Sequence, residues 1–443
     1  MKLYLIIASL LFVQISFAQE TSTKSAPKVW SLEALIDYAL ENNITVKNAV
    51  LNKNIAATDY SKAKSSRLPN LFTSASQNFS NGNTIDPITG DFVTEQINST
   101  NVGINSAMTL YQGNQITNQI AQSKLFFEQS IFLEEVEKNN IVLNILEIYL
   151  QTLYSKESIT IAENNVAASE KEVQRAKARL DAGTIPLGDY SDAQSQVATN
   201  KYNVITAKNN YQQNIITLKQ LLELSPWETI EIATIDEDKN IMQLELDKEK
   251  VYANALGFMP EIKASNLSIA ANVKELDIAK GGYLPTLSLS GSLGSGYTSI
   301  NNNSFSNQFD VNFNQRIGVS LSIPIFNRNQ TKAAVKTATF NIEKAEIQKQ
   351  TTEKEIYKKI ETAYQNALSA QEQVIAAEAS KIAAQQSYKL AQKKYELGDL
   401  STTDLVISQN TYTNAQQNYV QAKYLTILYH QLVQFYQGND IKL

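Results

Sequence analysis

Apolar and polar residues follow two rhythms along this chain, and each rhythm is used twice. The first is helical. Two long runs, about Asn114 to Ala182 and about Arg328 to Leu397, contain neither Pro nor Gly. A continuous helix of about 70 residues is roughly 105 Å long at 1.5 Å per residue. Each run closes on a helix stop followed at once by a helix start. In Tyr395-Glu-Leu-Gly-Asp-Leu-Ser-Thr-Thr-Asp404, Gly398 can take the left-handed conformation that ends a helix. Ser401, Thr402, Thr403 and Asp404 can each cap the next one, predicted from about Thr402 to Tyr436. Leu180-Asp-Ala-Gly-Thr-Ile-Pro-Leu-Gly-Asp189 has the same form, and in both the Asp follows the Gly at the same spacing. Both are read as tips of long helical hairpins.

The second rhythm has period two. Val102, Ile104, Met108 and Leu110 alternate with Asn101, Gly103, Asn105 and Thr109. Leu287, Leu289 and Leu293 alternate with Ser288, Ser290 and Ser292. Over 311–325, Val311, Phe313, Ile317, Val319, Leu321, Ile323 and Ile325 alternate with Asn312, Asn314, Arg316, Gly318, Ser320 and Ser322. With Leu71–Phe79 these segments predict two β-hairpins, about 70–110 and 286–325, apolar on one face and small or polar on the other. The Asn-, Gly- and Thr-rich stretch Phe79–Asn98 and the stretch Ser299–Gln308 read as their loops. Such a pattern fits a half-buried soluble sheet and a membrane barrel alike.

Shorter helices precede each hairpin. Ser31–Asn42 carries Leu32, Leu35, Ile36 and Leu40 on one face, and a second helix, about Thr45–Ser66, stops at Leu68-Pro69. Ala255-Leu256 to Leu284-Pro285 echoes Ala39-Leu40 to Leu68-Pro69 at a constant offset. Gly183 and Gly398, Asp189 and Asp404, and Tyr149 and Tyr364 are likewise equally spaced. The chain reads as one unit used twice. The predicted layout is a signal peptide (1–18), a flexible leader (19–30), a first repeat (31–224), a side element (225–247), a second repeat (248–437) and a tail (438–443). The side element holds a short strand within Thr229–Ile235 and a solvated charge cluster, Asp236 to Lys239.

Composition narrows the function. Lys2, the apolar Leu3–Val13 and the small-residue site Ser16-Phe-Ala18 read as a secretory signal. With no cysteine there is no disulfide, no thiolate metal site and no lipid attachment at an N-terminal cysteine. The single histidine, His430, sits in a Tyr- and Leu-rich helix and reads as a packed residue rather than a base. No nucleophile–base set, metal spacing or phosphate loop is present, so neither an enzyme nor a cofactor is expected. A net charge of −5 disfavours nucleic acid.

Export and the long helices favour the barrel. Four strands cannot close one, and an open edge in lipid leaves backbone groups unsatisfied. Copies must therefore associate. Two give eight strands, filled by their own side chains; three give twelve, which begin to leave an opening. The helical hairpins then hang into the periplasm and the Asn-rich loops face outward. A plain coiled-coil rod or exported interaction protein is the alternative, but it leaves the strands unexplained.

The doubled layout, the two Leu-Pro helix ends, Leu110-Tyr-Gln-Gly-Asn114 and Ile325-Phe-Asn-Arg-Asn329 opening the long helices, and the two Gly-x5-Asp tips resemble the TolC family of outer membrane efflux proteins. The resemblance covers nearly all of the chain after the signal peptide. It implies a mixed α/β membrane protein, mainly α: a homotrimer with a 12-stranded barrel in the outer membrane of a Gram-negative bacterium, continued by a periplasmic α-helical tunnel. It implies a passive exit duct that docks through its tips to a periplasmic adaptor and an inner-membrane pump or type I secretion transporter. The tip residues would be Gly183, Thr184, Ile185, Asp189, Gly398, Asp399 and Leu400. Asp404 matches an acid that rings the narrow end of the tunnel, and Tyr395 matches a latch tyrosine. Ile407 stands where many members have a second acid, and Leu400 where a member has a basic latch residue. Asp189 and Asp404 also read as helix caps.

Overall fold

A computed structural model describes residues 28–85, 90–235 and 248–441. The signal peptide, the leader to residue 27, the cluster Asp236–Lys239 and the last two residues lie outside the described residues. In chain order the elements are β1 (Lys28–Trp30), α1 (Leu32–Asn42), α2 (Ile44–Ser65), β2 (Asn70–Ile85), β3 (Phe92–Gln112), α3 (Gln115–Asp181), α4 (Leu187–Leu221) and β4 (Ile230–Ile232). They continue with α5 (Lys248–Phe258), α6 (Pro260–Gly281), β5 (Thr286–Thr298), α7 (Phe305–Val311), β6 (Asn314–Ser322), α8 (Gln330–Leu397) and α9 (Thr402–Gln437). The protein is mainly helical.

α3 and α8 have 67 and 68 residues, each about 100 Å of helix. α4 returns along α3 and α9 along α8. Small and polar side chains hold each pair together from within. Asn200 donates to the Asn165 carbonyl and to Ser169 Oγ, at 3.3 and 3.1 Å. Thr426 donates to the Ala370 carbonyl at 3.0 Å. Both long helices begin the same way, on two consecutive left-handed residues: Gly113-Asn114 and Arg328-Asn329. At the first start glycine is obligatory, because a Cβ on Gly113 would meet the Gly281 carbonyl oxygen at 2.2 Å.

Apolar burial is concentrated where the short helices meet the long ones. Leu35 and Ala39 of α1 pack against Ile141, Ile145 and Tyr149 of α3 and Leu218 of α4. Val251 and Ala255 of α5 pack against Ile356 and Ile360 of α8 and Val433 of α9. Ile145 belongs to the first cluster and Ile360 to the second.

The four long strands form one antiparallel sheet in the order β2-β3-β5-β6, leaving β2 and β6 as open edges. Register pairs Ile104 with Leu293, Met108 with Leu289, and Leu289 with Val319, so these share one face. Asn105 pairs with Ser292, and Ser292 with Arg316, on the other. The apolar face is uncovered in a single chain, with Ile317 84% exposed.

Four expectations are corrected. Phe79–Asn98 is largely strand, not loop: β2 and β3 stay paired from Asn70↔Ala107 to Ile85↔Phe92. Backbone pairing continues there through mixed partners such as Ser80↔Ile97, Asn81↔Gln96 and Asn83↔Thr94, without the apolar alternation. The segment 311–325 is not one strand. Ser304 caps a helix by accepting from the Asn307 amide, so Val311 ends α7 and strand begins only at Asn314, ending at Ser322. Leu110 is the extra residue of a bulge between Thr109 and Tyr111, which places Tyr111 opposite Leu287. The leader does not run to residue 30, because Lys28–Trp30 pairs in parallel with Ile230–Ile232. Tyr149 secures that pair from α3 by donating to the Ala233 carbonyl at 2.9 Å.

Candidate functional site

The candidate site is the pair of hairpin tips. Both long helices end in the same hydrogen-bond pattern around a left-handed glycine, with φ of 71° at Gly183 and 86° at Gly398. The Thr184 amide donates to the Arg179 carbonyl, and the Asp399 amide to the Lys394 carbonyl, each at 2.9 Å. These 6→1 bonds satisfy carbonyls that a helix end leaves unpaired. Gly183, Thr184, Gly398 and Asp399 are exposed, while Ile185 and Leu400 are half-buried.

The returning helices start differently. α4 starts after Pro186 without a side-chain cap, and Asp189 lies half-buried in its first turn. α9 is capped by Ser401, whose Oγ accepts from the Asp404 amide at 3.1 Å and donates to the Asp404 carboxylate at 2.8 Å. Asp404 is therefore the partner of the cap rather than the cap itself. Its carboxylate is held at the helix N-terminus, where the helix dipole favours a negative charge, and it remains exposed.

Tyr395 is 2% exposed and packs with Tyr388, Leu405 and Leu400. Its hydroxyl lies 3.3 Å from Thr402 Oγ1, so it ties the end of α8 to the start of α9. No hydrogen bond among the described residues joins it to Asp189. Leu400 gives the tyrosine cluster an apolar wall.

Residues not singled out from the sequence join one hairpin to the other. Arg179 of α3 donates to the Tyr395 carbonyl at 3.1 Å, with its guanidinium 5.0 Å from the Tyr395 ring. Arg175, one turn earlier, bridges Glu172 and Glu396, both at 3.0 Å. Farther from the tip, Gln196 donates to Asn410 at 3.1 Å. Burial raises the Glu172 carboxyl above the usual range; the Glu396 charge adds to the rise and Arg175 opposes it. Burial also pushes the Tyr388 phenol up to about 12, with the Glu172 charge contributing. The sequence carried one signal for this contact. Arginine is scarce in the chain, and Arg175 and Arg179 stand one turn apart at the end of α3. These polar contacts tie the first hairpin to the second near the tips. Among the described residues no group of His, Asp and Glu is placed to bind a metal ion.

Comparison with known proteins agrees with this geometry. The family model described as outer membrane efflux protein matches residues 35–223 and 251–431. The outer membrane protein TolC of Salmonella enteritidis is 23% identical over 402 residues, covering 88% of this chain and 78% of that protein. The outer membrane efflux protein BepC of Brucella suis is 25% identical, covering 87% and 80%. Among solved structures, the CmeC outer membrane channel of Campylobacter jejuni superposes with a TM-score of 0.80 at 19% identity, covering 93% of this chain and 87% of that one. Family match, curated relatives and fold coincide over nearly the whole described chain, which belongs to the outer membrane efflux protein family.

Proposed function

We propose that three copies of this chain assemble into an exit duct across the outer membrane, a passive conduit from periplasm to exterior for efflux or secretion. The observation that carries this reading is the sheet: four strands, two open edges, an uncovered apolar face and a polar face, joined to two helices of about 100 Å. Three copies bring twelve strands together, closing the edges and leaving a lumen. The helices carry a matching signature. Exposed apolar residues of α8 recur at sevens, Phe340 and Ile347, then Leu368, Ile375 and Ile382, then Leu390 and Leu397. That stripe suits burial against a neighbouring copy in a helical barrel. The matched left-handed helix starts and the equivalent apolar clusters support a chain built from one unit used twice.

In this duct the tips face the periplasm. Gly183, Thr184, Ile185, Gly398, Asp399 and Leu400 form the surface offered to an adaptor, through which an inner-membrane pump or transporter delivers cargo. Three Asp404 carboxylates ring the entrance, and Tyr395 fixes the turn that presents them. With Ile407 one turn on, the ring carries about three charges by the symmetry of the trimer. Curated relatives include a pyoverdine export outer membrane protein of Pseudomonas putida and an alkaline protease secretion protein of Pseudomonas aeruginosa, each matched over just under half of this chain. Both efflux and secretion are therefore within the reading. Planar bilayers test it: the purified protein is expected to give discrete, long-lived conductance steps, and a preparation that inserts without conducting contradicts the duct.

A further inference from the structure

Arg316 is one of only two charged residues in the four long strands; the other is Glu95. It stands on the polar face, in a row that crosses the sheet as Phe72, Asn105, Ser292 and Arg316. Its neighbours along and across the strands are small or neutral: Asn314 and Gly318 on β6, Ser290 and Gly294 on β5. No ion pair or hydrogen bond engages its guanidinium among the described residues, and the side chain is exposed. Glu95 lies ten positions along β3 from Asn105, about 33 Å at the rise of a strand. An unpaired cation thus occupies an otherwise neutral wall.

On the trimeric duct reading, that wall is the lumen. We propose that the three Arg316 side chains form a cationic girdle in the barrel that binds carboxylate- or phosphate-bearing solutes on their way out. Twelve strands spaced about 4.8 Å apart and tilted about 40° give a barrel radius of about 12 Å. An extended arginine reaching about 6 Å inward leaves its charge about 6 Å from the axis, inside the ~8 Å Debye length at physiological salt. Three such charges in water, screened over that distance, concentrate a monovalent anion at the axis about five-fold. Arg316 lies six positions from Ser322 at the helix end of its strand, about 20 Å toward the outer mouth. The Asp404 level is about 120 Å away along helix and strand, so the two rings act independently and with opposite sign.

The chain has no cysteine, so Arg316→Cys carries a single thiol. Trimers of wild type, Arg316→Cys and Arg316→Lys are compared in planar bilayers with citrate, a trivalent carboxylate, as the probe. Citrate is expected to block wild type and Arg316→Lys. In Arg316→Cys the half-blocking concentration rises by at least ~10-fold, given the multiplied effect on a trivalent ion. A trimethylammonium methanethiosulfonate then restores the block, a sulfonate reagent does not, and Ile317→Cys on the opposite face reacts with neither. A thiol at 316 that is unreactive while Ile317→Cys is modified overturns the girdle, as does equal citrate block in wild type and Arg316→Cys. Conducting wild-type channels that ignore citrate also overturn it and leave the duct standing. Wild-type trimers that never conduct bring down the duct, and the girdle with it.

Discussion

Arg179 holds Tyr395 twice, by donating to its carbonyl at 3.1 Å and by placing a guanidinium 5.0 Å from the centre of its ring. The two residues belong to different hairpins, in opposite halves of the chain. Tyr395 in turn meets Thr402 across the turn, so one arginine steadies the whole second tip from the first. A charge-assisted hydrogen bond of this kind contributes about 1.5–3 kcal/mol where it is buried, and less here because the contact is part-exposed. Arg179→Met keeps much of the stem and removes the donors. It is expected to widen the entrance, raising single-channel conductance while the trimer stays intact. Unchanged conductance would mean that the contact is structural decoration of a rigid tip.

Different substitutions separate the charge proposed for Asp404 at the entrance from its hydrogen bonds with Ser401. Asp404→Asn keeps a side-chain oxygen for the Ser401 hydroxyl but removes the charge. It is expected to lower cation selectivity and weaken block by trivalent cations, with stability nearly unchanged. Ser401→Ala removes the cap, costs about 1 kcal/mol and leaves the charge in place. Equal selectivity in wild type and Asp404→Asn would reduce Asp404 to a partner of the cap.

At Gly183 and Gly398 the backbone is left-handed, where a Cβ costs about 1–2 kcal/mol. Nothing lies within 4 Å of the Cβ position at Gly183, so Gly183→Val strains only the backbone. Adaptor cross-linking and export are expected to fall for both valine variants, with trimer and membrane insertion retained. Normal cross-linking in both would remove the tips as the docking surface.

Glu172 should give the tips a pH dependence. Its folded-state carboxyl is raised above the ordinary value, chiefly by burial. The folded form therefore binds its proton more tightly than the unfolded chain does. That contribution is complete below the ordinary carboxylate pKa and is lost as pH rises through the raised value. Glu172→Gln should abolish this term and stabilise the protein at neutral pH, as read by thermal melts from acid to neutral pH. His430 works in the opposite sense. Burial lowers its pKa, so its contribution is present above the ordinary histidine value and is lost as pH falls through the lowered one. A Glu172→Gln melting profile parallel to wild type at every pH would contradict the assignment.

Much of this fold was legible because it is written in local rules. Gly183 and Gly398 ended helices where a left-handed residue was needed, and Leu68-Pro69 and Leu284-Pro285 marked the passage from helix to strand. Other features depend on partners remote in sequence or on weak patterns. Val29 pairs with Glu231, which lies beyond the entire first pair of long helices, so β1 had no local signature. The far end of β2, Ser80-Asn-Gly-Asn-Thr84, has the composition of a loop, yet it stays paired with β3. Phe309, Val311 and Phe313 alternate like strand, yet Ser304 starts a helix before them and Gln308, 1% exposed, fastens it by bonding to both the amide and the carbonyl of Thr298. At the tip, four consecutive residues could have capped α9. Ser401 does so because it alone keeps an extended backbone, with φ −74° and ψ 156°, before the helical turn. Arg175 and Arg179 were visible only as scarce arginines, since their partners lie on the other hairpin.

The proposed duct needs a lumen that one chain, with four strands, cannot enclose. Native mass spectrometry of the detergent-extracted protein tests it most directly. Three copies are predicted, giving twelve strands in a closed barrel. One copy, with four strands, or two, with eight strands that fill their own interior, would leave no duct and would contradict it.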